Sequence, residues 1–151
     1  MSSDETSKSS HKPYQIEGRP IYHMCIQTQW EAAKSSKSAY FPPTYEADGN
    51  MTHASMHKEN LLDTANHFCK TIPGDWIVLE IDPDILLKIC GITTLVEAPA
   101  PVGNTEAEAT STILYPHIYG GIPTTVPNLV VKEYVMRREE DGSFVGVAGL
   151  L

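Results

Sequence analysis

Apolar residues fall along the chain in short runs whose spacing switches between strand-like and helical. From Pro20 the run Ile21-Tyr22-His23-Met24-Cys25-Ile26 has the near-continuous apolar character of a buried strand. Thr28-Gln29-Trp30-Glu31 then matches a capping box opening a short helix through Lys37. Tyr40 to Asn50 mixes aromatics with Pro42, Pro43 and Gly49, which predicts a long structured loop ahead of a short strand, Met51-Thr52-His53-Ala54-Ser55. Leu61, Leu62, Ala65, Phe68 and Cys69 recur at helical spacing with Lys58, Glu59, Asp63 and Asn66 opposite, predicting an amphipathic helix over 57–70. Pro73-Gly74-Asp75 turns the chain into a central strand, Trp76-Ile77-Val78-Leu79-Glu80-Ile81. Asp82 and Pro83 then supply an N-cap and a first-turn proline for a short helix closed by Gly91.

Thr93 to Glu97 predicts a further strand. Ala98 to Thr112, with Pro99, Pro101 and Gly103 followed by small and acidic residues, predicts a surface excursion. The segment Tyr115 to Pro123 carries too much Pro and Gly to predict a regular element. Leu129 to Arg138 reads as a strand that Asp141-Gly142 returns through Phe144 as a terminal hairpin. Strands and helices follow one another in irregular order, which predicts an α+β domain rather than a doubly wound sheet.

Composition narrows the setting. Residues 1–18 are Ser-rich and poor in apolar side chains, so they are expected to form a disordered tail ahead of one domain at 19–151. The tail lacks the apolar stretch of a secretory signal and carries Asp4 and Glu5, and no apolar run approaches the roughly 20 residues that cross a bilayer. A cytoplasmic protein with no membrane segment is expected. Cys25, Cys69 and Cys90 are widely spaced, lie in apolar segments and form no C-x-x-C pair, in keeping with free thiols in a reducing compartment. A formal charge of -8, with arginine only at Arg19, Arg137 and Arg138, argues against nucleic-acid binding and against phosphate clamps in the central part of the chain.

The common signatures are missing: P-loop, G-x-G-x-x-G, G-x-S-x-G, H-E-x-x-H and paired Cys ligands. What stands out is a set of polar residues in apolar or turn-rich settings: His23 after Ile-Tyr, His53 with Ser55, Glu97 between Leu-Val and Ala-Pro, and His117 with Tyr119 before Gly-Gly. Each needs a partner if buried. If their strands are neighbours, His23, His53 and His117 converge on one cleft, where imidazoles act as donors, acceptors or general acids and bases. His11, in the tail, and His57 and His67, on the amphipathic helix, read as solvated.

Ile21-Tyr22-His23, Trp30, Asp48-Gly49-Asn50-Met51-Thr52-His53-Ala54-Ser55, Val96 to Gly103 and Tyr115 to Pro123 together resemble the family catalogued as domain of unknown function 952. The pattern departs at Asn50-Met51-Thr52, where that family more usually has Phe-Ile before the histidine, and at Tyr115, where Phe is usual. The resemblance implies an ADP-ribosyltransferase-like fold: a split, mixed β-sheet with flanking short helices around a cleft of NAD size. It implies NAD as cofactor and transferase activity on NAD or a nucleotide-like small molecule. In that scheme Tyr22, His23, Ser55 and Tyr119 bind the cofactor, with His23 on a ribose hydroxyl, Ser55 supporting the first strand and Tyr119 stacked on a ring. His23, His53, Glu97 and His117 form the catalytic set, Glu97 or His117 acting on the acceptor.

Other readings of the same residues stay open. One is a pocket that binds a small ligand without catalysis. Another is zinc held by His23, His53, His117 and Glu97, although no two of these are closely paired in sequence. A third is a tight Pro-His-Ile-Tyr-Gly-Gly turn with no pocket. The expected partner is a small molecule, with no metal, nucleic acid or membrane.

Overall fold

The structure, a computed structural model, describes residues 18–108 and 113–151. The expected tail, apart from Gly18, and the end of the Ala98–Thr112 excursion lie outside the described residues.

Among the described residues seven strands form two sheets. The larger contains β1 (Ile21–Ile26), β3 (Trp76–Ile81), β6 (Val130–Arg138) and β7 (Phe144–Val147), in the order β1-β3-β6-β7. The smaller contains β2 (Thr52–His53), β4 (Thr94–Glu97) and β5 (Tyr115–Ile118), in the order β2-β5-β4. All strand pairings are antiparallel, so the expected α+β class holds while the sheet is not mixed. The reason lies in direction: β1, β3, β6 and β7 alternate up and down across the larger sheet, leaving no neighbours that run the same way. The sheets meet where Tyr22 and Ser55 exchange backbone hydrogen bonds of 2.7 and 2.8 Å.

β1 and β3 are buried on both faces, which is why their sequences are nearly continuous apolar runs. Successive side chains point to opposite faces. Ile21, Cys25, Ile77, Leu79 and Ile81 belong to one core, with Trp30, Leu86, Val96 and Ile118. Tyr22, Trp76 and Val78 belong to a second, with Leu61, Ala65, Tyr134 and Met136.

Among the described residues three short helices flank the sheets: α1 (Gln27–Ser36), α2 (Leu61–Phe68) and α3 (Pro83–Lys88). The Thr28 capping box is not used. α1 starts directly off β1 with Ile26 as N-cap, and the Asp75 carbonyl accepts the Gln27 N–H at 2.8 Å, so a tertiary backbone partner takes up a donor at the helix start. The helix expected over 57–70 is shorter, a 3₁₀ turn Lys58–Asn60 followed by α2. α3 follows the expectation, with Asp82 Oδ1 accepting from the Asp84 and Ile85 amides.

The segment Tyr115 to Pro123 opens with a regular strand after all, the central strand of the smaller sheet. Pro116 is tolerated there because of where its missing N–H falls. Its carbonyl accepts from Ala54, so its nitrogen faces the same side, at the point where β2 ends and Ser55 crosses to pair with Tyr22. Beyond β5 the glycines allow close approach. A Cβ on Gly121 would lie 2.8 Å from the Tyr40 carbonyl oxygen, on the bridge that joins Tyr40 to Ile122.

Candidate functional site

The site follows from the junction of the two sheets. β2 sets His53 directly opposite His117 on β5, and their rings meet edge to face with centroids 5.2 Å apart. Because β2 leads into the bridge with Tyr22, the next residue of β1, His23, reaches the main chain of β2: its Nδ1–H donates to the His53 carbonyl at 2.5 Å. His23, His53 and His117 therefore line one cavity of about 320 Å³, together with Tyr22 and Ser55. Loop residues Pro42 and Thr44 on one side and Pro99, Ala100 and Val102 on the other complete its wall. Much of the rest is apolar, including Met24, Ile26, Phe68 and Trp76. Among the described residues that line it there is no Lys or Arg, and Glu108 is the one carboxylate.

The three imidazoles differ. Burial pushes His23 down to about 4, against the opposing pull of its hydrogen bond to His53, so the ring is neutral near pH 7. With Nδ1 bearing the proton, Nε2 is a bare lone pair. That atom is buried and has no hydrogen-bond partner. His117, only 2% exposed, has its Nδ1 2.7 Å from Glu97 Oε1, and its Nε2 is likewise buried without a partner.

His53 lies below the ordinary histidine range, first through burial and then through His117, while Asp48 and a hydrogen bond to Pro101 pull the other way. Its Nε2 is 3.2 Å from Asp48 Oδ2, within ion-pair range but off the line of a hydrogen bond. Asp48 itself is nearly enclosed, its side chain 2% exposed. Oδ1 accepts from the Gly103 amide at 2.8 Å and Oδ2 from the Thr44 hydroxyl at 2.7 Å, so this carboxylate ties the 40–50 loop to the segment after β4.

Of the residues singled out from the sequence, His23, His53, His117, Tyr22 and Ser55 come together in the cavity wall. Glu97 and Tyr119 do not line it. Glu97 sits behind His117, and the Tyr119 hydroxyl donates to the same Oε1 at 2.6 Å from a half-exposed position. His57 and His67 lie outside the cavity lining, His67 reaching the Glu106 carbonyl at 2.7 Å. Among the described residues no group of three or more His, Cys, Asp or Glu side chains is arranged to hold a metal ion.

Sequence reasoning missed Asp48 and Tyr40. Asp48 enters the sequence reading only as the first residue of the family-like run to Ser55, without a role, and nothing local shows that its carboxylate is buried. Tyr40 sits in a Pro-rich loop yet is 4% exposed, its ring 5.8 Å from His23 and 5.9 Å from Trp30. The available signal was the density of aromatics between Tyr40 and Tyr45.

The family described as Protein of unknown function (DUF952) matches residues 24–128. No curated protein matches the chain. The crystal structure of protein CC0527 from Caulobacter crescentus is similar, with a TM-score of 0.60 and 20% identity over 83% of this chain and 93% of that one. The solution NMR structure of the same protein gives 0.52 and 21%, over 87% and 92%. At such identity the likeness shows a shared fold.

Proposed function

The chain belongs to the family described as Protein of unknown function (DUF952), and from that premise we propose that its cavity takes up a small uncharged molecule bearing N–H or O–H donors, with His117 accepting a hydrogen bond from it. One observation carries this reading. Two buried imidazole nitrogens, Nε2 of His23 and of His117, have no hydrogen-bond partner although both rings stand in the wall of one largely apolar cavity. A buried acceptor left unpaired costs about 1–3 kcal/mol, which a ligand donor recovers. Apolar walls with a few placed polar groups are the usual make-up of small-ligand sites.

Nicotinamide fits this chemistry: a flat, uncharged ring whose carboxamide supplies N–H donors. It is also the part of NAD that an ADP-ribosyltransferase-like reading would place in the cleft. That reading draws on two antiparallel sheets meeting at the cavity, on Tyr22-His23 in the first strand, and on Ser55 bridged to Tyr22. The diphosphate of whole NAD would find no Lys or Arg on the described wall. Transfer from NAD would break the nicotinamide–ribose bond and build positive charge on the ribose, which needs a nearby carboxylate. Glu97 does not line the cavity, and the one carboxylate on the described wall, Glu108, lies outside the polar set of Tyr22, His23, Ser55 and His117, so retention of a ligand without turnover is the second reading.

Calorimetric titration of the protein with nicotinamide and with nicotinic acid tests the proposal. The amide is expected to saturate and to bind at least about tenfold more tightly than the acid, whose carboxylate brings no donor. His117→Phe should remove the difference. No saturable binding of nicotinamide, or equal affinity for the two probes, would contradict the proposal. Nicotinamide release from NAD, followed in parallel, separates transfer from binding alone.

A further inference from the structure

Three side chains from two adjacent strands converge at the edge of the cavity wall. In the β4–β5 ladder Leu95 is opposite His117 and Glu97 opposite Tyr115, so Glu97, His117 and Tyr119 all project from one face. His117 Nδ1 and the Tyr119 hydroxyl both reach the same oxygen, Glu97 Oε1, at 2.7 and 2.6 Å. A carboxylate has no proton to give, so both neighbours must be donors. The phenol keeps its proton throughout the physiological range, because burial and the adjacent Glu97 push it up to about 12. For His117 this places a proton on Nδ1, and in the neutral ring the lone pair then falls on Nε2, in the ring that lines the cavity.

We infer that Glu97 and Tyr119 are positioning residues, with Tyr119 holding the Glu97 carboxylate so that His117 is locked in its Nδ1–H tautomer and presents Nε2 as a hydrogen-bond acceptor toward the cavity. Tyr119 is 40% exposed and does not line the cavity, so its influence passes through Glu97. The arrangement resembles the way an orienting carboxylate fixes which imidazole nitrogen does the work in triads and metal sites. Together with the neutral His23, it gives the cavity two acceptors of the same kind, a pairing suited to a ligand with two donors, such as a primary amide. The ligand half of this inference rests on the function proposed above. The tautomer half does not.

The test is long-range ¹⁵N–¹H correlation of the histidine rings in ligand-free protein near neutral pH, where protonated and bare ring nitrogens have distinct shifts. Wild-type His117 is expected to show a protonated Nδ1 and a bare Nε2. In Tyr119→Phe the Nε2–H fraction should rise several-fold, since the carboxylate loses one of the bonds that hold it. In Glu97→Gln the amide can donate to Nδ1 and the tautomer should reverse. His23 remains the Nδ1–H form in every folded variant and serves as the control for an intact site. A wild-type His117 found in the Nε2–H form overturns the inference, even if a variant fails to fold. So does a folded Tyr119→Phe protein whose His117 pattern matches wild type. Failure of nicotinamide to bind would count against the proposed function and leave the tautomer result standing.

Discussion

A buried imidazole that stays neutral in the folded protein ties stability to pH. His23 titrates at 6.5 in an unfolded chain and at about 4 when folded, so between those values the unfolded state binds more protons. Stability is fully present above pH 6.5 and is lost as pH falls toward 4. The shift corresponds to roughly 3 kcal/mol, and His53, lowered for the same main reason, adds in the same direction. Urea unfolding at about pH 7.5 and about pH 4.5 should show that loss, and His23→Gln should reduce it. A pH-independent midpoint across that range would contradict the assignment of His23 as neutral. At this scale the sequence was informative about the imidazoles: His23 inside Ile-Tyr-His-Met is buried, and His53 inside Met-Thr-His-Ala is partly buried. It gave no role to Asp48, whose burial depends on Gly103 arriving from far along the chain.

Individual elements were legible where local chemistry decides them. Asp82-Pro83 opens α3 because the cap and the proline act within one turn. The β6–β7 hairpin follows from Asp141-Gly142, where Gly142 has φ +96 and a Cβ would lie 2.4 Å from the Lys70 oxygen. Elements decided by tertiary partners were not legible. α1 begins where Asp75 supplies an acceptor, and β5 forms in spite of Pro116 because Ser55 leaves the ladder there.

One side chain clamps several of these elements. The Arg138 guanidinium donates to the carbonyls of Cys69, Lys70, Gly74 and Gly142 and lies 4.4 Å over the Phe144 ring, joining the end of α2 and the turn into β3 to the hairpin. Arg138→Met keeps the aliphatic stem and removes those donors. It should cost about 2–3 kcal/mol in denaturant unfolding with an unchanged denaturant slope. A loss below about 0.5 kcal/mol would place the clamp among surface contacts of no consequence.

For the whole molecule, the cavity exists because two sheets share one crossing point, Tyr22 with Ser55, and that crossing brings His23, His53 and His117, far apart along the chain, into one wall. No local pattern encodes such a junction. The sequence offered the convergence only on the condition that the three histidine-bearing strands are neighbours, and the antiparallel order that meets this condition had to come from the structure. Charge acts at this scale too: a chain of net charge -8, with no Lys or Arg on the described cavity wall, is poorly suited to anionic ligands. Among the described residues no helix is long and apolar enough to cross a membrane.

The most direct test of a shared ligand-taking cavity is to titrate ¹⁵N-histidine-labelled protein with nicotinamide and follow all ring resonances at once. His23, His53 and His117 should shift together with one saturation curve while His57 and His67 stay in place. Shifts confined to His57 and His67, or none at any of the three cavity histidines, would contradict it.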